Sequence, residues 1–259
     1  MVSSPIDFNN SNVPSRLLKM ANDSFVFKQF EIRQGRSAMK VGTDGVLLGA
    51  WFDVGRETLR VLDVGTGTGL ITLMAAQRNP WARIDAVEID PESCADAAEN
   101  FERSSWRDRL ELHTCSFSEF CSRTEPGSYE RIVSNPPYFV DSLRAADDRR
   151  SRARHADALP CNELLSGVAK LLCETGRFAV VLPVETYREF VMEAAHNGLF
   201  PARRTDVITR VGKRPQRVLA EFVAEPERLC VETLTLIEDG SSDYSVAYKE
   251  LVGDFYLKI

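Results

Sequence analysis

The sequence predicts an α/β protein with a doubly wound, Rossmann-like sheet of seven mostly parallel strands and an antiparallel edge. Two observations predict it: short apolar segments alternate with helical ones, and after Phe200 this alternation gives way to strands joined by short turns. A parallel crossover needs a helix to return the chain, so the alternation favours a sheet covered by helices on both faces. We expect one domain over residues 25–259, preceded by a flexible tail over residues 1–24.

The predicted elements begin at residues 25–32, where apolar and polar residues alternate as in a strand or a hairpin. Residues 42–51 predict a short helix with Thr43 or Asp44 as its cap. Strands and helices then alternate: strands at 59–64 and 84–89, a helix at 70–78, a helix at 91–103 that opens with proline, and strands at 110–114 and 129–134 around a short helix near 116–121.

The later elements end in a region of strands. A helix at 161–173 closes at Gly176, a strand follows at 177–182, and a helix at 184–197 stops at Gly198. Strands at 205–209, 217–223 and 231–237 predict the antiparallel edge, and a helix at 245–254 follows them.

Composition excludes several classes of protein. At 44% hydrophobic and 27% charged residues, the 259-residue chain is typical of a folded globular protein. No apolar run reaches the roughly 18–20 residues that cross a bilayer, and the N-terminus lacks the apolar segment of a secretory signal. We therefore expect a cytoplasmic protein with no membrane partner. The six cysteines lack the two-residue spacing of zinc sites and the three histidines are scattered, so no metal site is predicted.

A glycine-rich loop joins the strand at 59–64 to the following helix. Gly65, Gly67 and Gly69 lie where a ligand meets free backbone N–H groups and the positive end of a helix. A Cβ would block the tight turn and the close approach of a ligand. Glu88 ends the next strand, where a carboxylate accepts hydrogen bonds from both hydroxyls of a ribose. The spacing G-x-G-x-G, with Asp63 before it, differs from the dinucleotide fingerprint and resembles the S-adenosylmethionine loop of class I methyltransferases.

The tetrapeptide Asn135-Pro136-Pro137-Tyr138 follows a predicted strand, at the sheet edge where open α/β sheets bind ligands. The two prolines stiffen the loop. The amide oxygen of Asn135 and the carbonyl of Pro136 are then placed to accept both hydrogens of a planar amino group, while Tyr138 stacks on the ring that carries it. The tetrapeptide therefore predicts methylation of an amine.

Together the two motifs resemble the amino-group methyltransferases that modify adenine, cytosine or glutamine. Three further segments make the resemblance specific to one family: Lys28-Gln-Phe-Glu-Ile, Met39-Lys-Val-Gly-Thr-Asp-Gly and, near the end, Asp254-Phe-Tyr-Leu-Lys. From Phe25 onward the chain is similar to the bacterial tRNA1(Val) adenine-37 N6-methyltransferase family. This resemblance implies a class I methyltransferase fold, S-adenosylmethionine as cofactor, and N6-methylation of adenine-37 in the anticodon loop of tRNA1(Val).

The resemblance also implies a set of cofactor-binding residues. Asp63 is expected to orient the ammonium end of the cofactor. The family usually carries an acidic residue near the cofactor adenine, whereas this chain has Cys115, Ser116 and Phe117 there. The expected cofactor-binding residues are Lys40, Thr43, Asp44, Asp63, Gly65, Gly67, Gly69, Glu88, Ile89, Ser116, Phe117 and Asn135.

The net charge of −6 argues against a protein that coats nucleic acid over its whole surface, but two segments are locally basic. Both are expected to neutralise RNA phosphates. For the first segment there is an alternative to RNA binding: its arginines form the solvent-exposed face of a helix and pair with Asp147 and Asp148. The expected RNA-binding residues are Arg144, Arg149, Arg150, Arg152 and Arg154 in the first segment, and Arg210, Lys213, Arg214 and Arg217 in the second.

Other functions remain compatible with the motifs. The same tetrapeptide serves an enzyme that methylates a release-factor glutamine or an adenine of rRNA or DNA. A cofactor-binding partner subunit without chemistry of its own is an alternative from another class, which methyl transfer by the isolated chain would exclude. Nothing in the sequence indicates an oligomer, so a monomer is assumed.

Overall fold

The computed structural model describes residues 23–136 and 159–259. The strands are β1 (Ser24–Val26), β2 (Glu31–Arg33), β3 (Arg60–Val64), β4 (Arg83–Glu88), β5 (Leu110–Thr114), β6 (Tyr129–Ser134), β7 (Leu172–Pro183), β8 (Phe200–Ile208), β9 (Arg217–Val223) and β10 (Cys230–Thr235). The helices are α1 (Thr43–Trp51), α2 (Leu70–Arg78), α3 (Pro91–Arg103), α4 (Phe117–Arg123), α5 (Cys161–Leu171), α6 (Val184–His196) and α7 (Val246–Val252), with a 3₁₀ turn at Arg107–Arg109. Of the predicted tail, residues 1–22 lie outside the described ranges, and Ser24 already begins β1.

The main sheet has the strand order β10-β8-β9-β7-β6-β3-β4-β5. From β3 the chain runs outward through β4 to β5 and then returns to β6 on the other side of β3, all in parallel. The point where the order reverses lies between β3 and β6. In open α/β sheets ligands bind at this point, outside the carboxyl ends of the strands.

Helices cover both faces of this sheet, so the predicted doubly wound architecture is confirmed. One core joins α1, α2, α3 and α7 to the first face, with Leu73 and Val46 fully buried. The second core lies on the other face and contains side chains of α4, α5 and α6, including Leu164 and Phe190. None of the helices in the described ranges is long and apolar enough to cross a membrane.

Within residues 23–136 and 159–259 the main sheet contains eight strands, so the predicted number of seven is wrong. β10 pairs in parallel with the outer edge of β8, from Cys230 opposite Arg203 to Thr235 opposite Ile208, and thereby adds a strand. The antiparallel character of this side comes from β9, which runs opposite to both β7 and β8.

Two local predictions are corrected in the helices. The residue that caps α1 is Gly42, and within the described ranges no side chain caps this helix; Asp44 lies in the first turn and pairs with Arg217. The helix predicted to close at Gly176 ends at Leu171, and β7 begins at the next residue. α3 matches its prediction, with Pro91 in the first turn and the Asp90 side chain accepting from the backbone N–H of Ser93.

The β1–β2 hairpin connects the start of the described chain to its other end. Phe27 forms a backbone bridge with Tyr256, and the backbone N–H of Lys28 donates to the carbonyl of Phe255 at 2.8 Å. The rings of Phe27 and Tyr256 also contact each other, with centroids 5.7 Å apart. These contacts fix the hairpin beside α7.

Candidate active site

A cavity of about 540 Å³ opens at the carboxyl ends of the parallel strands, around the point where the strand order reverses. The predicted site residues that line it are Gly65, Gly67, Glu88, Ile89, Ser116, Phe117 and Asn135. Cys115, expected near the cofactor adenine, also lines it, and the lining residues that the sequence did not predict are Ala38, Met39, Val64, Val87, Asp90, Ser93, Leu159, Pro160 and Glu163.

The glycine loop follows β3 directly, and its three glycines all have positive φ, at 70°, 57° and 83°. An added Cβ at Gly65 or Gly67 would have no atom of the described residues within 4 Å, so these two positions are open toward the cavity they line. Gly69 differs, because an added Cβ would overlap the ring of Phe101. Gly69 therefore lets α2 and α3 pack closely and does not itself line the cavity.

Asp63 lies buried beneath this loop. Its Oδ2 accepts hydrogen bonds from the hydroxyls of Thr66 at 2.7 Å and Thr72 at 2.8 Å. Its Oδ1 is equally buried and has no hydrogen-bond partner within the described ranges. Burial raises the pKa of Asp63 to about 6, against the lowering effect of the two threonine hydroxyls. A buried carboxylate with one unpaired oxygen fits a cationic ligand at the loop.

Glu88 connects the glycine loop to the end of β4. Its Oε2 accepts from the backbone N–H of Gly67 at 2.9 Å, and its Oε1 accepts from those of Ile89 and Asp90. A carboxylate has about four acceptor positions, so about one remains for a ligand. To accept hydrogen bonds from both ribose hydroxyls, as expected, Glu88 must therefore give up one of its hydrogen bonds from a backbone N–H.

Asn135 begins the loop after β6, directly beside the glycine loop. Ser134 is the register partner of Val64, and its hydroxyl donates to the Val64 carbonyl at 2.8 Å. The first turn of α1 also lies close to Asn135, because an added Cβ at Gly45 would be 3.6 Å from Asn135 Nδ2. Pro136 is buried. Pro137 and Tyr138 lie outside the described residues.

Two polar side chains of α3 hold the segment between β2 and α1 against the cavity. Asn100 accepts from the backbone N–H of Arg33 at 2.7 Å and donates to the carbonyls of Arg33 and Thr68 at 2.9 and 2.8 Å. Asp96, one turn earlier, accepts from the backbone N–H of Ser37 at 2.8 Å. Asn100 therefore bridges the glycine loop to the segment whose Ala38 and Met39 line the cavity.

Three residues expected at the cofactor from the N-terminal side do not line the cavity. Lys40 donates from Nζ to the carbonyl of Gln34, and Thr43 is exposed. Asp44 accepts from Arg217 Nε at 2.8 Å. The structure thus pairs an expected cofactor-binding residue with an expected RNA-binding residue.

The second basic segment lies at the same sheet edge as the cavity. β8 runs parallel to β7, so the loop after β8 emerges at the carboxyl ends of the strands. This loop carries Arg210, with Lys213 and Arg214 exposed. The arginines of the first basic segment, Arg144, Arg149, Arg150, Arg152 and Arg154, lie outside the described residues.

Comparisons with known proteins place the chain in a family. Residues 40–199 match the family model of the methyltransferase small domain. The chain is 46% identical to the tRNA1(Val) (adenine(37)-N6)-methyltransferase of Bacteroides thetaiotaomicron, over 93% of this chain and 100% of that protein. Its identity to the protein of the same name from Trichodesmium erythraeum is 45%, over 92% of this chain and 100% of that protein. The chain belongs to this methyltransferase family.

The solved structures confirm the class I methyltransferase fold. A predicted O-methyltransferase from Agrobacterium tumefaciens superimposes with a TM-score of 0.64, at 16% identity, over 82% of this chain and 96% of that one. The predicted resemblance to the tRNA1(Val) adenine-37 N6-methyltransferase family is confirmed by the sequence comparisons.

As a member of this family, the methyltransferase uses S-adenosylmethionine, and the residues present fit that cofactor. The loop at Gly65 and Gly67 is open where a side chain would fill the space. The unpaired Oδ1 of Asp63 suits a positive charge, and Glu88 suits a hydroxyl. Ile89 and Phe117 add apolar surface for a planar base.

Proposed function

We propose that this methyltransferase methylates the N6 amine of adenine-37 in the anticodon loop of tRNA1(Val). The names of its relatives specify this reaction, and identity of 42–46% extends over nearly the whole chain. The observation that carries the proposal is geometric: Asn135 and the open glycines of the cofactor loop line one cavity. An amine held at Asn135 is therefore close to a cofactor held at Gly65 and Gly67.

In this proposal Asn135 and Pro136 position the target amine. Their two carbonyl oxygens accept its hydrogens, which directs the nitrogen lone pair into the cavity, and stacking on Tyr138 holds the flipped base. Pro137 stiffens the loop. The bound cofactor supplies a methyl group activated by its sulfonium. The protein's own residues contribute chiefly the alignment of the amine with that methyl group.

The proposal is tested with an unmodified tRNA1(Val) transcript and labelled S-adenosylmethionine. We expect label in N6-methyladenosine, identified by mass spectrometry of the digested nucleosides. A transcript with guanine in place of adenine-37 is the control and should remain unlabelled. Equal labelling of both transcripts would contradict the assigned position, and labelling of a release-factor glutamine instead would favour the alternative substrate.

Asp63 gives cofactor binding an expected pH dependence. An ammonium group favours the ionised carboxylate, so the pKa of Asp63, raised by burial to about 6, should fall when cofactor binds. The affinity for the cofactor is then highest at a pH above this pKa, and it decreases as the pH falls through this pKa. We expect S-adenosylhomocysteine to bind about tenfold more tightly at pH 7.5 than at pH 5, measured by calorimetry. The Asp63→Asn variant should lose this dependence, and an unchanged pH profile in that variant would exclude Asp63 as its origin.

The basic loop after β8 is proposed to contact tRNA phosphates, because it lies at the same sheet edge as the cavity. At the end of this loop, Arg217 Nε donates to Asp44 Oδ2 at 2.8 Å. We expect the double charge reversal K213E/R214E to weaken tRNA binding and to reduce the slope of log affinity against log salt by about 2. The control is Arg56→Glu, an exposed arginine in the loop that leads into β3 at the opposite edge. Equal losses in both proteins would indicate a general effect of charge.

The first basic segment, residues 144–154, is proposed as a further phosphate contact because it follows the tetrapeptide in the sequence. We also propose that residues 25–259 act as one methyltransferase domain, as a monomer in the cytoplasm. The bridge between Phe27 and Tyr256 supports the single domain, since it joins the first and last described elements.

A further inference from the structure

Glu163 is a cavity residue with no role in the steps described above. It lies in the first turn of α5, is half-buried, and lines the cavity together with Leu159 and Pro160. Within residues 23–136 and 159–259, its carboxylate takes part in no hydrogen bond or ion pair. A carboxylate held in a cavity without a partner is available to a ligand.

The packing of α5 directs Glu163 toward one end of the cavity. Gly167 lies four residues later and therefore on the same face of the helix. An added Cβ at Gly167 would overlap Phe117 and lie 2.8 Å from Cys121 Sγ, so this face packs tightly against α4. The negative charge of Glu163 also helps to raise the pKa of the Cys121 thiol, after the larger effect of burial. Glu163 thus lies beside Phe117.

The other lining carboxylates among the described residues are already engaged. Glu88 accepts three backbone N–H groups, and Asp90 accepts from the backbone N–H of Ser93 at 2.8 Å as the cap of α3. The cavity-lining residues after β5, Cys115, Ser116 and Phe117, carry no carboxylate, and the Ser116 hydroxyl caps α4 by accepting from the backbone N–H of Glu119. Among the lining carboxylates of the described chain, Glu163 is therefore the unengaged one.

We propose that Glu163 accepts a hydrogen bond from the exocyclic amine of the cofactor adenine. The inference rests on the cofactor-binding part of the proposed function. A ribose at Glu88 places its base beside Ile89, the next residue, and Phe117 supplies an apolar wall on the same side. The amine edge of that base then needs an acceptor, which Glu163 supplies from α5. A charged acceptor at this position makes the cavity selective for a 6-amino purine.

The test compares two ligands, S-adenosylhomocysteine and its analogue with hydrogen in place of the 6-amino group. In the unaltered protein we expect the amino ligand to bind at least about tenfold more tightly, because the analogue leaves the carboxylate unpaired. In Glu163→Ala this preference should fall to less than about threefold, and in Glu163→Gln, which keeps an acceptor oxygen, it should be intermediate. Asn162→Ala, on the exposed side of the same helix, is the matched control and should keep the full preference.

Calorimetry of the two ligands, with thermal unfolding of each variant, decides the outcome without any methyl transfer. Retention of the full preference in Glu163→Ala would overturn the proposal. An unchanged preference with weakened tRNA binding would also overturn it, because the carboxylate would then face the substrate. If Glu163→Ala does not fold, Glu163→Gln decides instead, and retention of the full preference in that variant would overturn the proposal. A protein that methylates no tRNA but loses the preference in these variants contradicts the proposed substrate and leaves the inference intact.

Discussion

Replacement of Asn135 by alanine is expected to lower kcat for methyl transfer to tRNA about 10²–10³-fold. The amide oxygen is one of the two acceptors that would fix the target amine, and loss of alignment at a reacting atom is costly. Affinity for S-adenosylhomocysteine should change by less than about fivefold, since this ligand retains its contacts with the glycine loop and Glu88. Single-turnover kinetics and calorimetry measure the two quantities separately.

Asn135→Asp is the matched variant, because it keeps an acceptor oxygen at the same position with almost the same volume. It should retain more activity than Asn135→Ala, while both bind cofactor alike. If both variants methylate at the unaltered rate, the amide does not position the amine. A large loss of cofactor affinity in both would instead mean that the expected contact of Asn135 with the cofactor, and not positioning of the amine, is its main role.

The second large effect is expected at the glycine loop. Gly67→Ala should weaken binding of S-adenosylhomocysteine about 10- to 100-fold, because the new methyl group would occupy the open space that the loop presents to the cavity. The positive φ of 57° adds a cost of about 1–2 kcal/mol to folding. Calorimetry and denaturant unfolding report the two effects independently.

Gly198→Ala separates backbone strain from obstruction of the cavity. Gly198 has a φ of 74° and follows α6 away from the cavity, and an added Cβ there would meet no atom of the described part of the chain within 4 Å. This variant should lose about the same stability as Gly67→Ala and bind cofactor normally. Equal loss of binding in the two variants would mean that strain alone explains the result at Gly67.

Local patterns in the sequence predicted the part of the site that lies at strand ends. The glycine loop and Asn135 each follow a buried strand and Glu88 ends one, and parallel strands bring such positions to one edge. The helix at Pro91–Arg103 was predicted with its bounds, since its opening proline is likewise a local signal.

Residues from separate segments were not predictable in this way. Met39 and Glu163 line the cavity because Asp96 and Asn100 hold one segment and Gly167 allows close packing of another. No motif links such residues. The eighth strand was missed because the pattern of β10 indicates a strand but not the neighbour to which it pairs.

The backbone bridge between Phe27 and Tyr256 determines when, during synthesis of the chain, the N-terminal hairpin can form its contacts. The glycine loop and its strands leave the ribosome early, because chains emerge and fold from the N-terminus. The β1–β2 hairpin precedes the cavity-lining residues Ala38 and Met39, but its backbone contacts are with Phe255 and Tyr256. A nascent chain therefore lacks the contacts that fix this hairpin until translation has passed the last turn of α7.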